Sequence, residues 1–265
     1  MDDDNRPIGR ILTRREVLAL LGGSALVAAC APSTLSAPSA TAAATALRSN
    51  GVVTSSAAGS GIVTLPSCVV RPALTEGPYF VDEKLNRSDI RSDPSTSAVK
   101  PGAPLALTFL VSRVSGTSCA ALPNAVVDVW HCDALGVYSD ATDPSFGITK
   151  GTKFLRGYQP TDASGRAVFT TIWPGWYQGR AVHIHFKIRT TAANGQVSDF
   201  TSQLFFPDAM NDAVFANAPY SQKGAAGSMR NAADGIFQGS GGKLMLSPAK
   251  SADGYAVTFD IGLTA

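Results

Sequence analysis

From about residue 66 onward the chain is written in short apolar runs cut by turn residues, and this pattern limits the fold more than any other feature. The runs 106–114, 125–131, 167–172, 182–189, 197–206 and 255–263 are rich in Val, Ile, Phe and Thr, residues that suit a pleated, half-buried surface. Ser164-Gly165, Asn194-Gly195 and Asp253-Gly254 fall between them. Asn-Gly between two such runs is a strong hairpin signal. Only 208–215 reads as a short helix, and no internal repeat is present. The expectation is an all-β fold: an antiparallel β-sandwich with long loops over residues 63–265.

What precedes the sandwich reads as an address and a tether. Arg14-Arg15 stands just before the apolar run 17–29, which is shorter than the roughly 18 residues of a spanning helix. Twin arginines before a short apolar run point to the bacterial Tat export route over residues 1–30. Val27-Ala28-Ala29-Cys30 resembles a lipoprotein cleavage box, with Cys30 lipidated, although plain cleavage there is the alternative. Residues 31–62 are almost all Ala, Ser, Thr, Pro and Gly. They hold too few large apolar side chains to offset ordering entropy and are expected to form a flexible linker. The expected location is periplasmic or cell-surface, with membrane contact only through the lipid. A net charge of +2 leaves no electrostatic footprint for nucleic acid.

An exported chain can hold disulfides. Of the four cysteines, Cys30 is assigned to the lipid. Cys68 and Cys119 both lie in Pro, Gly and Ser-rich text and are the favoured pair, which leaves Cys132 unpaired in a strand.

The chemistry gathers in one stretch. All three histidines, His131, His183 and His185, lie between residues 131 and 185. In the run 182–189, His183 and His185 share one face of a strand while Val182, Ile184 and Phe186 take the other. Two imidazoles so placed can converge on one metal. Upstream, Trp173-Pro174-Gly175-Trp176-Tyr177 ends a Pro-Gly turn on a phenol, and Trp130 to Tyr138 leaves a strand, turns at Gly136 and presents another. Either tyrosine alone reads as core filling. His131 reads as a strand histidine. Asp128 and Asp133 read as turn or edge carboxylates, Ser139-Asp140 as a turn cap, and Arg156-Gly157-Tyr158 as a loop.

Taken together, these segments resemble the intradiol ring-cleavage dioxygenases, the family of catechol and protocatechuate dioxygenases. The family pattern Trp-x-(Ala/Cys)-x-x-x-Gly-x-Tyr matches Trp130 to Tyr138. Pro-Gly-x-Tyr matches Pro174 to Tyr177, and Arg-x-x-His-(Ile/Val)-His matches Arg180 to His185. The resemblance implies one Fe(III) per chain, held by Tyr138, Tyr177, His183 and His185. It implies ring opening of a catechol-type diol between its hydroxyl-bearing carbons with both atoms of O₂, giving muconate-type products. Tyr177 would take up a diol proton, Arg180 would stabilise charge developing on the ring, and Gln203 would help position Arg180 or the substrate. Leu74 to Phe80 is similar to the family's segment beside the pocket, which makes Tyr79 and Trp176 candidates for the pocket wall. Two phenolates favour a hard trivalent ion, because only a strong cation displaces their protons at neutral pH.

The segment between Tyr177 and His183 is shorter than in better-known members, and the helical region that catechol dioxygenases use for dimerisation is missing. The substrate side is therefore expected to be more open, with a homodimer still a candidate assembly. Two other readings stay in view. One is a non-enzymatic, transthyretin-like binding module. The other is a zinc hydrolase built on His131, His183 and His185, which needs all three rings on one face.

Overall fold

The structure, a computed structural model, describes residues 69–264 apart from Ala193. The signal, linker, Cys30 and Cys68 expected from sequence lie outside the described residues.

Eleven strands run in chain order: β1 (Pro104–Ser115), β2 (Ser118–Ala121), β3 (Val126–Trp130), β4 (Thr142–Asp143), β5 (Gly147–Ile148), β6 (Arg156–Pro160), β7 (Arg166–Ile172), β8 (His183–Thr191), β9 (Val197–Phe205), β10 (Ala249–Ser251) and β11 (Gly254–Thr264). Two short helices, α1 (Asp208–Phe215) and α2 (Gly235–Gly239), interrupt the long segment between β9 and β10. No helix among the described residues is long and apolar enough to cross a membrane.

One sheet has the order β10-β11-β1-β2, with β7 also paired to β1. The other has the order β6-β3-β8-β9. Their facing sides bury Leu105, Leu107, Phe109, Val111, Phe169, Val257 and Phe259 from the first sheet against Val127, Val129, Ile184, Phe186, Ile188 and Leu204 from the second. Phe109, Phe186 and Phe259 meet across this layer with ring centroids 5.2–5.9 Å apart. Period-2 alternation therefore puts His183 and His185 on the outer side of the second sheet. Gly195, at φ +83°, turns β8 into β9.

Three readings are corrected. The β1–β11 pairing is parallel, from Leu105 with Tyr255 to Val114 with Thr264, so the sandwich is mixed rather than antiparallel. Chain-distant partners leave no turn signal to fix their direction. Arg156-Gly157-Tyr158 is strand β6, paired with β3, not a loop. Asp128 sits in β3, between β6 and β8, rather than at an edge or turn. It pairs with Arg189 at 2.8 Å.

Candidate metal centre

Cross-strand register builds the base of the site. Trp130 lies opposite both Arg156 and His185, and His185 lies opposite Gln203. One row of side chains thus crosses the outer face of the second sheet. The Trp130 and His185 rings stack, with centroids 5.1 Å apart and planes 11° apart, and this fixes the imidazole plane. His183 Nδ1 donates to Ala181 O at 2.6 Å, so its Nε2 keeps a lone pair. That Nε2 lies 2.9 Å from His185 Nε2.

Two loops bring the phenols over this base. Gly136, at φ +86°, turns the 131–138 loop, and a Cβ there would meet Trp176 O at 2.2 Å. A Cβ on Gly175 would meet Ala134 O at 2.4 Å. The loops carrying Tyr138 and Tyr177 therefore touch backbone to backbone, and glycine is what permits it. Lys223 ties them further, donating to Leu135 O at 2.8 Å and Trp176 O at 2.9 Å.

The outcome is a tight cluster. Tyr177 Oη donates to His183 Nε2 at 3.2 Å. The Tyr138 ring lies 5.6 Å from that of Tyr177 and 6.3 Å from that of His185. Tyr79 stacks on Tyr138 at 4.2 Å, and its hydroxyl donates to Asp143 at 2.6 Å. Trp176 stands beside Tyr177 on an adjoining cleft. Arg180 donates through Nε to Asp234 at 2.9 Å and through Nη2 to Gln203 at 2.5 Å. Its Nη1 points toward His183 Nε2 at 3.5 Å. Gln203 is anchored in turn, donating to Thr75 O at 2.8 Å.

Burial sets the electrostatics. Desolvation pushes His183 down to about 3, helped by the Arg180 charge. It also pushes His185 well below the usual imidazole range, with His183 adding to the fall. Both rings are uncharged at neutral pH. Desolvation raises Tyr177 to about 12, against the pull of Arg180. It also raises Tyr138 well above the ordinary phenol value, with the Tyr177 phenol adding to the rise. Tyr138 Oη is buried and finds no hydrogen-bond partner among the described residues.

These features fit a bound cation. Two imidazole nitrogens that each bind a metal at about 2 Å can share one ion when they lie 2.9 Å apart. The partnerless Tyr138 oxygen would be a third donor to such an ion, and Tyr177 a fourth. The described residues hold no group of three or more His, Cys, Asp or Glu suited to a metal, so a metal here depends on the tyrosines.

Other expectations fare differently. His131 Nε2 meets Thr171 Oγ1 on β7 at 2.7 Å and its Nδ1 meets Cys132 O. It is turned toward the opposite sheet, which removes the three-histidine zinc reading. It also lies just past the end of β3 rather than in the strand. Cys132 is a buried thiol that donates to Gly175 O, likewise beyond β3. Asp133 does hold a turn, accepting from Leu135 N and Val137 N. Ser139-Asp140 does lie in a turn, with Asp140 Oδ1 accepting from Gly151 N, while Ser139 itself is fully buried, donates to Phe154 O and accepts from Arg156 Nε.

Two functional side chains escaped the sequence reading. Asp234 clamps Arg180 and also accepts from Ala181 N. Arg156, 2% exposed, donates to Ser139 O and Tyr79 O and so ties the end of the Tyr138 loop to the segment carrying Tyr79. Asp234 before Gly235 carries a helix-cap signal, which says nothing of Arg180. Nothing in the sequence distinguishes Arg156 from a surface arginine.

A profile of the Dioxygenase family matches residues 75–265. The chain is 31% identical over 142 residues to catechol 1,2-dioxygenase 2 of Acinetobacter lwoffii, covering 44% of this chain and 46% of that protein. It is 30% identical over 138 residues to the protocatechuate 3,4-dioxygenase beta chain of Burkholderia cepacia, covering 49% and 57%. These matches span about half the length of each relative. Among solved structures, an intradiol ring-cleavage dioxygenase from Tetranychus urticae superposes with a TM-score of 0.61 at 30% identity, over 74% of this chain and 94% of that one.

Proposed function

The chain belongs to the intradiol ring-cleavage dioxygenase family, and from that membership we propose that it is a ferric-iron dioxygenase opening catechol-type rings between the two hydroxyl-bearing carbons. Both atoms of O₂ enter the product, a muconate-type diacid. One Fe(III) per chain is held by Tyr138, Tyr177, His183 and His185. The observation that carries the reading is the convergence of two phenols, Tyr138 fully and Tyr177 partly buried, on two buried, uncharged imidazoles.

The donor chemistry favours this ion. Burial works against both phenolates, so the counter-charge must be strong enough to displace their protons. A trivalent cation supplies more of it than a divalent one, and zinc favours simpler N, O or S sets. When bound, ferric iron would draw electron density from a coordinated diol and open a ring carbon to O₂.

The remaining work falls to the chain's own side chains. Tyr177 is only partly buried, whereas Tyr138 is fully enclosed. Tyr177 is therefore the phenol free to yield its place and accept a diol proton at Oη. Arg180 directs Nη1 into the site, where a fixed positive charge stabilises negative charge developing on the ring. Asp234 and Gln203 hold the guanidinium from two sides, which lowers the cost of ordering it during turnover. Tyr79 stacked on Tyr138, and Phe80 tilted against Trp130, cover the buried side of the site. The twin-arginine signal and the 31–62 tether would carry this activity outside the cytoplasm, with or without a lipid on Cys30.

The test is turnover of catechols by the iron-loaded protein under isotopically labelled O₂. Mass spectrometry should find two labelled oxygen atoms in a ring-opened diacid. Intact catechol, or one labelled atom only, would refute the reading.

A further inference from the structure

We propose that the cleft beside Tyr177 is a subsite for a second aromatic ring, so that the enzyme takes ortho-diols carrying an aryl substituent. The inference deepens the ring-cleavage reading and rests on it.

Size is the first argument. The cleft encloses about 480 Å³ and is lined by Leu135, Val137, Phe146, Trp176, Tyr177 and Lys223, among others. A closed apolar cavity of about 150 Å³ is enough to hold benzene. Of the four proposed ligands only Tyr177 lines it, so a diol ring held beside Tyr138, His183 and His185 leaves this space open to a further ring.

The chemistry of the wall is the second. Phe146 meets Tyr79 with ring centroids 5.9 Å apart, and Tyr79 stacks on Tyr138 at 4.2 Å. A file of aromatic faces therefore runs from the buried phenol out to the cleft. Trp176 and Leu135 add apolar area opposite. Rings meeting such faces gain about 0.5–1.5 kcal/mol beyond simple burial.

Charge is the third. Lys223 is the one charged side chain of the lining. Its ammonium already donates to two backbone carbonyls and lies 4.3 Å from the Trp176 ring centroid. A carboxylate substituent would meet a cation with two of its three protons committed. An aryl substituent would present a π-face to the same cation, a favourable contact.

The experiment uses the iron-loaded full chain. Binding of catechol, 4-phenylcatechol and 3,4-dihydroxybenzoate is titrated without O₂, and kcat/KM for each is then measured with O₂. 4-Phenylcatechol should bind at least about tenfold more tightly than the other two, the range expected for a filled apolar subsite. Phe146→Ala should cut its advantage over catechol by about tenfold. Cleavage of catechol with no advantage for 4-phenylcatechol would overturn the subsite and leave the ring-cleavage reading intact. So would an advantage that Phe146→Ala leaves unchanged. Cleavage of no diol at all would overturn both.

Discussion

His183 and His185 bring their Nε2 atoms to 2.9 Å on the outer face of one sheet. His183 is committed to its tautomer by the bond from Nδ1 to Ala181 O, and burial keeps each ring from taking up a second, charging proton. His185 Nδ1 has no partner among the described residues, so that ring is held by stacking on Trp130 and by the contact of its Nε2 with His183. Two neutral imidazoles so arranged gain most when a cation takes up both lone pairs.

Removal of a ligand should therefore empty the site. Tyr138→Phe deletes a buried oxygen with no other protein partner, and His185→Ala deletes one of the facing nitrogens. Each variant should fold and lose most of its iron, measured by metal analysis after identical loading. Iron retained at one per chain in both would remove these residues from the ligand set.

Arg180 and its supports should affect turnover rather than metal content. Arg180→Ala should keep iron and lower kcat by about 10²–10³, the range for losing one preorganised donor. Asp234→Ala leaves Arg180 bonded to Gln203 only. It should keep iron and lower kcat by about 10–100-fold, as loss of an outer partner does at metal sites. Steady-state kinetics beside metal analysis separates the two effects.

The strand series and the shared face of His183 and His185 were legible in the sequence because period-2 burial writes them directly, and the 208–215 helix was legible too. The link to Tyr138 and Tyr177 was legible only through motif resemblance, since loops carry no period. What could not be read were contacts between distant segments. Parallel pairing of Phe109 with Phe259 joins opposite ends of the domain. Asp234 reaches Arg180 from a segment whose sequence signals only a helix cap. Arg156 looks like a loop arginine until β6 pairs with β3 and brings it to Ser139 and Tyr79.

Arg156 yields a stability prediction. It donates to Ser139 Oγ, Ser139 O and Tyr79 O. Arg156→Ala strands those acceptors, at roughly 1–3 kcal/mol for each one left buried. Chemical denaturation should show a loss of that order, together with weaker iron retention. Unchanged stability would mean that the loops hold themselves.

His131 yields a pH prediction independent of the metal. Desolvation depresses its folded-state pKa to about 4 from an ordinary value of 6.5. The unfolded chain then binds a proton that the folded chain refuses. This contribution to stability is complete above about pH 6.5 and is lost progressively as pH falls toward 4. The shift corresponds to about 3 kcal/mol at most. Denaturation curves of the metal-free protein should show the fall, and His131→Gln should flatten part of it. An equal slope in the variant would assign the acid sensitivity to other groups.

The most direct measurement is the visible absorption spectrum of the aerobically purified protein, taken with its iron content. Two tyrosinates on one ferric ion should give a coloured protein with a ligand-to-metal charge-transfer band. One iron per chain should accompany that band, which should vanish in Tyr138→Phe and shift when catechol is added. A colourless protein that carries zinc, or that takes up no iron, would contradict the account.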